Sequence, residues 1–308
     1  MKALIIGGGG FVGGYLADEL NNNGYDEYIT CLEKVDSDYA QFILDIRKKD
    51  DISEILSKVN PDVIFHLAAQ SSVALSWKNP QLTAEINIIG AINLFEAVRE
   101  YEGNPRVIVI GSGEEYGCIS ANSCPIKETE PLHPMNIYAA TKACQEQTAE
   151  IYARAYGLDI VMVRAFNHSG PKQESIFVMS DFCRQIADIE KGRKSPVMTV
   201  GNLAAMRDFT DVRDIVRGYR LLAEKGKSGE IYNIGSGKAV SIQYILDTAL
   251  KLSTVEIAVE RDAKRMRASD IPIIEADTTK IYGDTGWKAE IALEQTIEDT
   301  LNYWRKRS

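Results

Sequence analysis

Tyr138 and Lys142 stand one helical turn apart in "NIYAATKACQEQ", so a phenol and an ammonium project from one helix face. A phenol with an ordinary pKa near ~10 is a poor acid or base at neutral pH, and a nearby cation lowers that value. The pair alone also suits an ordinary structural helix. About 26 residues upstream, "RVIVIGSGEEYG" puts Ser112 and Glu114 at the end of an apolar run. The two could serve proton transfer to and from a carbon framework, or Ser112 alone could polarise a carbonyl while the acids only shape a turn. Ser112, Glu114, Tyr138 and Lys142 are the candidate catalytic residues.

These side chains need a frame that brings a strand end to a helix start. "KALII", "YITCL", "FILDI", "DVIFHLA", "RVIVIGS" and "DIVMVRAF" read as strands, with helices between them that include long ones at about 82–101 and 137–156. That alternation argues for βαβ units and a parallel sheet. The unbroken runs "VIVI" and "IVMV" fit strands covered on both faces. The expected fold is α/β, a doubly wound parallel Rossmann sheet with a smaller mixed α/β substrate-binding domain. After Phe166 the rhythm becomes irregular, yet "EIYNIGSG" follows the helix "DVRDIVRGYRLLAEKG" and suits a return to the first sheet. The expected division is 1–166 plus approximately 211–236 for the dinucleotide-binding domain, and approximately 167–210 and 237–308 for the other.

"GGGGFVGG" sets Gly7, Gly10 and Gly13 between a strand and a helix, with Phe11 and Val12 among them. Glycines there permit a tight turn and a close backbone approach, so that a pyrophosphate can sit on free N–H groups at the helix start. Glu33 lies about 20 residues beyond Gly13, at the end of the second strand. An acid in that place accepts hydrogen bonds from the adenosine ribose and repels an added phosphate. NAD, used as NADH, is therefore expected over NADP. NADP stays possible because Lys34 adjoins Glu33, which could also be a solvated loop carboxylate.

The bulk properties exclude several classes. A chain of 308 residues with 45% hydrophobic content can bury a sizeable core. With a net charge of −9 and no basic run longer than Arg47-Lys48-Lys49, it lacks a nucleic-acid footprint. An anionic ligand must instead meet local donors. Cys31, Cys118, Cys124, Cys144 and Cys183 are scattered and odd in number, which favours free thiols in a reducing compartment. His66, His133 and His168 show no metal-ligand spacing. No metal and no membrane association are expected, and the location is expected to be cytoplasmic.

"GGGGFVGG", Asp45-Ile46, "HLAAQSSV", Asn87 with Gly90, "SGEEYG", "YAATK", "RAFNHSGP", "GNLAAMRDFTDVRD" and "RMRASDIP" together resemble the extended short-chain dehydrogenase/reductases that act on nucleotide sugars. The resemblance spans essentially the whole chain. It implies that Asp45 and Ile46 flank adenine and that Leu67, Ala68 and Ala69 pass under the pyrophosphate and ribose. It implies that Tyr138 exchanges a proton with the sugar C4 oxygen, that Lys142 grips the nicotinamide ribose, and that Ser112 hydrogen-bonds the same C4 oxygen. Ser71, Asn167, Arg207, Arg267 and Asp270 match the substrate end, and the segments are most similar to the branch handling GDP-linked deoxyhexoses. A GDP-sugar substrate and a homodimer built on the two long helices are further implications.

Three reactions use this set of residues. A dehydratase needs a base and a proton donor side by side besides Tyr138, and in family dehydratases the strand end resembles Thr-Ser-Glu or Thr-Asp-Glu. This chain reads Ser112-Gly113-Glu114. It keeps the base position but has no side-chain donor at Gly113. The chain is also short for that dehydratase, and it lacks both the family's insertion after the glycines and its NADP-binding arginine. The expectation is a reductase of a GDP-4-keto-6-deoxyhexose, with a GDP-mannose 4,6-dehydratase or a 4-epimerase as alternatives. A non-catalytic dinucleotide sensor is more distant, since such proteins commonly lack the Tyr/Lys pair.

Overall fold

The computed structural model describes residues 1–119, 123–262 and 271–307. The chain runs β1 (Lys2–Ile6), α1 (Phe11–Asn22), β2 (Asp26–Cys31), β3 (Ala40–Ile43), α2 (Lys49–Val59), β4 (Val63–His66), α3 (Val73–Lys78) and α4 (Pro80–Ala84). A π-helical turn (Glu85–Ile89) leads directly into α5 (Gly90–Glu100) and then β5 (Arg106–Ser112). A 3₁₀ turn (Gly113–Tyr116) precedes α6 (Ile137–Tyr156), β6 (Ile160–Ala165) and β7 (Asn167–Ser169). Next come α7 (Val178–Glu190), β8 (Val197–Val200), β9 (Met206–Asp211), α8 (Val212–Lys225), β10 (Ile231–Ile234), β11 (Ala239–Ser241) and α9 (Ile242–Lys251). The last elements are β12 (Ala258–Arg261), β13 (Ile273–Ile274), α10 (Thr279–Thr285) and α11 (Leu293–Arg307).

Seven strands form one sheet in the order β10-β6-β5-β4-β1-β2-β3, every neighbouring pair parallel. Chain direction across the sheet reverses between β1 and β4, the switch point where such sheets open a crevice at the carboxyl ends of their strands. The period of two along β5 sorts its side chains into two cores. Ile108 and Ile110 join Leu16, Leu20, Tyr219 and Trp287 under α1 and α8. Val107 and Val109 join Leu56, Leu94, Phe95 and Ala149 under α2, α5 and α6.

Two differences from the sequence reading have local causes. "FILDI" pairs only as Ala40–Ile43, because Asp45 turns the chain: its carboxylate accepts from the Arg47 amide at 3.1 Å and its carbonyl from the Lys48 amide at 2.9 Å. The helix expected at about 82–101 is α4 and α5 joined by the π-helical turn, which carries the buried Asn87.

The remaining strands are short and mixed. β9 pairs antiparallel with β11 and parallel with β7 and β13, and β8 pairs parallel with β12. A separate core of Met179, Phe182, Ile186, Ile245, Leu246, Ile297 and Leu301 lies between α7, α9 and α11. β10 follows β9 and α8 back to the edge of the large sheet beside β6.

Candidate active site

A cleft of about 1640 Å³ runs from the glycine turn after β1, past the ends of β4, β5 and β6, to β9. Gly7 has φ +89° and a Cβ there would lie 2.7 Å from the Ala68 nitrogen; a Cβ on Gly13 would lie 2.4 Å from the Gly8 oxygen. Only glycine satisfies both positions. Gly10 is the N-cap of α1 and offers no side chain to the first turn, which also holds no acid. The N–H groups there and the positive end of the helix are left for an anion. Phe11, Val12, Glu33, Asp45, Ile46, Leu67, Ala68 and Ala69 line the same end. These residues fit a dinucleotide: a phosphate cradle, an acid at the ribose position and an apolar slot. Arg47 also lines this end, its guanidinium paired with Asp45 at 2.7 Å and with Glu85 at 3.4 Å. That pairing holds the Asp45 carboxyl below its ordinary range.

At the end of β5, Ser112 and Glu115 form a capping box around the 3₁₀ turn. Ser112 Oγ accepts from the Glu114 amide at 3.2 Å, and Glu115 Oε1 accepts from the Ser112 amide at 2.5 Å. With one lone pair taken, the Ser112 hydroxyl proton remains free to donate. Asn136, the N-cap of α6, accepts from the Ala139 amide at 2.8 Å and donates to Glu114 Oε2 at 3.2 Å. One side chain thus joins the turn after β5 to the helix that carries Tyr138 and Lys142.

Burial raises the Tyr138 pKa above its ordinary value; the Ser112 hydroxyl bonded to it opposes that rise, while Glu115 and Glu114 add to it. The lowering comes from Ser112. Lys142 Nζ donates to the Ile110 carbonyl at 2.8 Å and to Gln145 Oε1 at 3.0 Å. Burial depresses the Lys142 pKa and Glu115 supports it. A phenol that holds its proton at neutral pH is equipped to act as an acid.

Asn87 fixes the register of this end. Its Oδ1 accepts from the Gln70 amide at 2.8 Å, and its Nδ2 donates to the Gln70 carbonyl at 3.1 Å and to Thr141 Oγ1 at 2.9 Å. The π-helical turn therefore ties the loop after β4 to α6 next to Lys142, a common use of such bulges at functional sites. Gly90 lets α5 approach the loop after β3, where a Cβ would lie 2.7 Å from Ile46.

At the far end, Ser71, Asn167 and Arg207 line the cleft. Arg207 is buried, its Nη1 donating to the Met206 and Ile271 carbonyls at 2.8 and 2.7 Å. Arg267 and Asp270 lie outside the described residues. Asn136, Arg184 and Asn202 also line the cleft, and sequence reasoning missed them. Asn136 carried a signal, a preferred N-cap residue immediately before a helical run. Arg184 and Asn202 carried none, since only the packing of α7 and β8 brings them here. Among the described residues, no cluster of His, Cys, Asp or Glu is arranged to hold a metal ion.

A dinucleotide cradle at the switch point shares one cleft with a Ser, Tyr and Lys set, and together with the similarities that follow this makes the chain a nucleotide-sugar modifying enzyme of the NAD(P)-dependent extended short-chain dehydrogenase/reductases. Residues 4–300 match the profile of GDP-mannose 4,6 dehydratase, and the chain belongs to that family. It is similar to GDP-6-deoxy-D-mannose reductase of Pseudomonas aeruginosa, with 30% identity over 263 residues, 85% of this chain and 86% of that one. Among solved structures it is similar to RMD from Pseudomonas aeruginosa complexed with NADPH, at TM-score 0.88 and 28% identity with both chains wholly covered. It is equally similar to UDP-glucose 4-epimerase from Thermotoga maritima with UDP-glucose, at TM-score 0.89 and 29% identity over 100% of this chain and 99% of that one.

Proposed function

We propose that the protein is an NADH-dependent reductase of a nucleotide-linked 4-keto-6-deoxyhexose, with the GDP-linked sugar as substrate and a GDP-rhamnose-type product. Gly113 carries this reading. With no side chain there, Glu114 lacks beside it the second acid that elimination of water requires, and a Cβ at that position would already press on the Phe166 ring at 3.1 Å. The likeness to the Pseudomonas aeruginosa reductase supports the same choice.

The dinucleotide, when bound, supplies the hydride. Ser112 and Tyr138 hydrogen-bond the C4 oxygen, and Tyr138 gives its proton to the alkoxide as charge develops there. Lys142 holds the nicotinamide ribose and steadies Tyr138. Glu33 takes the adenosine ribose hydroxyls and favours NADH; Asp45 and Ile46 flank adenine. Asn167, Arg207 and Ser71 hold the diphosphate and sugar, and Arg267 and Asp270 join them by family resemblance. Residues 1–166 with about 211–236 serve the cofactor, and the rest serve the sugar. The half-buried Glu114 on the cleft favours a second reading as a dehydratase.

Incubation with GDP-mannose and, separately, with its 4-keto-6-deoxy derivative plus NADH decides the matter. A reductase consumes NADH only with the ketosugar. Loss of water from GDP-mannose establishes the dehydratase, and inversion at C4 without net NADH consumption establishes the epimerase. Binding of NADH with no turnover leaves a sensor.

Ile89, Ile151 and Tyr156 are exposed apolar residues on the π-turn and on α6, which supports a homodimer paired through the two long helices in a four-helix interface. Sedimentation as a monomer alone would reject it. All five cysteines are unpaired, in keeping with a cytoplasmic location.

A further inference from the structure

Glu115 is fully buried and does not line the cleft, so no ligand in the cleft can touch it. Its Oε1 holds the Ser112 amide at 2.5 Å, while its Oε2 is enclosed with no hydrogen-bond partner. The carboxyl lies directly beneath Gly111, where a Cβ would be 2.5 Å from Oε1. Lys142 and Glu146 face it from α6 and Arg164 faces it from β6. Arg164 is already committed, bound twice to Glu146 at 2.8 and 2.7 Å and to the Tyr116 hydroxyl at 2.7 Å. Glu115 therefore has no strong ion-pair partner of its own, and leaving a buried carboxyl oxygen unsatisfied is costly.

We propose that Glu115 is a positioning residue of the reaction, aiming the Ser112 hydroxyl through Ser112's amide and setting from behind the cleft the charge felt by Tyr138 and Lys142. The proposal rests on the reading of Ser112, Tyr138 and Lys142 given above. A capping box alone requires only an acceptor for the Ser112 amide; a glutamine suffices for that. The carboxyl adds a charge that changes with pH. Burial, then Glu146, raises the Glu115 pKa, against the opposing pull of the Ser112 amide, Arg164 and Lys142. When Glu115 ionises it makes Tyr138 harder to ionise and Lys142 easier to keep charged. His66, fully buried at the end of β4, faces Lys142 and stays neutral, since burial and the Lys142 charge push it down to about 3. A titrating Glu115 thus keeps Tyr138 loaded with its proton as pH rises. The basic limb of activity, where a proton donor is lost, is extended.

Glu115→Gln keeps the shape and the acceptor while removing the charge, and Glu115→Leu removes both. The pH profile of kcat/KM is measured for each with the nucleotide sugar that the wild type turns over. Tyrosinate absorbance is followed against pH in the NAD⁺ complex, each chain compared with its own Tyr138→Phe counterpart. Glu115→Gln is expected to move the basic limb and the Tyr138 ionisation midpoint to lower pH by about half a unit or more. Glu115→Leu is expected in addition to lower kcat at the pH optimum roughly tenfold through a misaimed Ser112. Wild-type pH behaviour in Glu115→Gln overturns the proposal, even if its thermal stability falls, because a purely structural cap moves only stability. If Glu115→Leu does not fold, Glu115→Gln still decides. Should no nucleotide sugar be turned over, a shifted tyrosinate midpoint upholds the role of Glu115 while the reductase reading fails.

Discussion

The half of the cleft built on the large parallel sheet and the half built around β9 assemble their functional groups in opposite ways. In the first, most of the proposed groups stand at or just beyond the end of a strand or at the start of a helix: Gly7 after β1, Glu33 after β2, Ser112 ending β5 and Tyr138 opening α6, with Lys142 one turn further along that helix. Parallel strand direction brings the strand-end groups to one crevice, and Asn136 and Asn87 dock the start of α6 onto it. In the second, β7 has three residues, β13 has two, and β9 makes pairs in both directions, so Arg207 reaches the cleft only through long-range packing. The difference suggests a division of labour, in which the parallel half performs the chemistry and the mixed half selects the sugar.

The largest expected effect tests the first half. Tyr138→Phe removes the proton donor without a change of shape, so kcat and kcat/KM should fall together, by about 10²–10⁴-fold, with substrate affinity nearly unchanged. A variant that keeps most of its turnover removes Tyr138 from the mechanism. A rise in KM alone would give Tyr138 a binding role and erase the contrast between the halves.

Arg207→Lys tests the second half. A lysine keeps the charge but cannot reproduce a guanidinium that spans two carbonyls and still faces the cleft. KM for the nucleotide sugar should rise roughly tenfold, the equivalent of one lost charge-assisted hydrogen bond. The dissociation constant for NADH, measured by fluorescence, should stay put. A comparable loss of NADH affinity would show that the two halves do not divide the work.

The same contrast explains what was legible in the sequence. The strand-helix alternation, the glycine turn and the i,i+4 pair are local patterns whose geometry follows from 3.6 residues per helical turn and the two-residue repeat of a strand. The 26-residue offset from Ser112 to Tyr138 is spanned because the end of β5 and the start of α6 both lie at the crevice. The π-helical turn at Asn87 was not legible, since it answers to Gln70 and Thr141, distant in sequence. Glu115 was half legible: Ser112-x-x-Glu115 is a capping-box spacing, yet its burial depends on α6 and β6 closing over it. Arg184 had no local signature. Its contribution comes from the edge of α7, and α7 docks by a core that no single segment announces.

The smallest effect concerns the outermost residue of the parallel half. Glu33 is exposed, so its hydrogen bonds to the adenosine ribose would compete with water and contribute about 1 kcal/mol. Glu33→Ser should weaken NADH about fivefold and strengthen NADPH by a similar factor, because the repulsion of an added phosphate is removed while Arg47 still lines that end of the cleft. Direct titration of both dinucleotides against wild type and variant measures the ratio. If wild type already prefers NADPH, Arg47 rather than Glu33 governs the choice. Its pairing with Asp45 and Glu85 would then be a store of charge that a phosphate can recruit, and Arg47→Ala should reverse the preference.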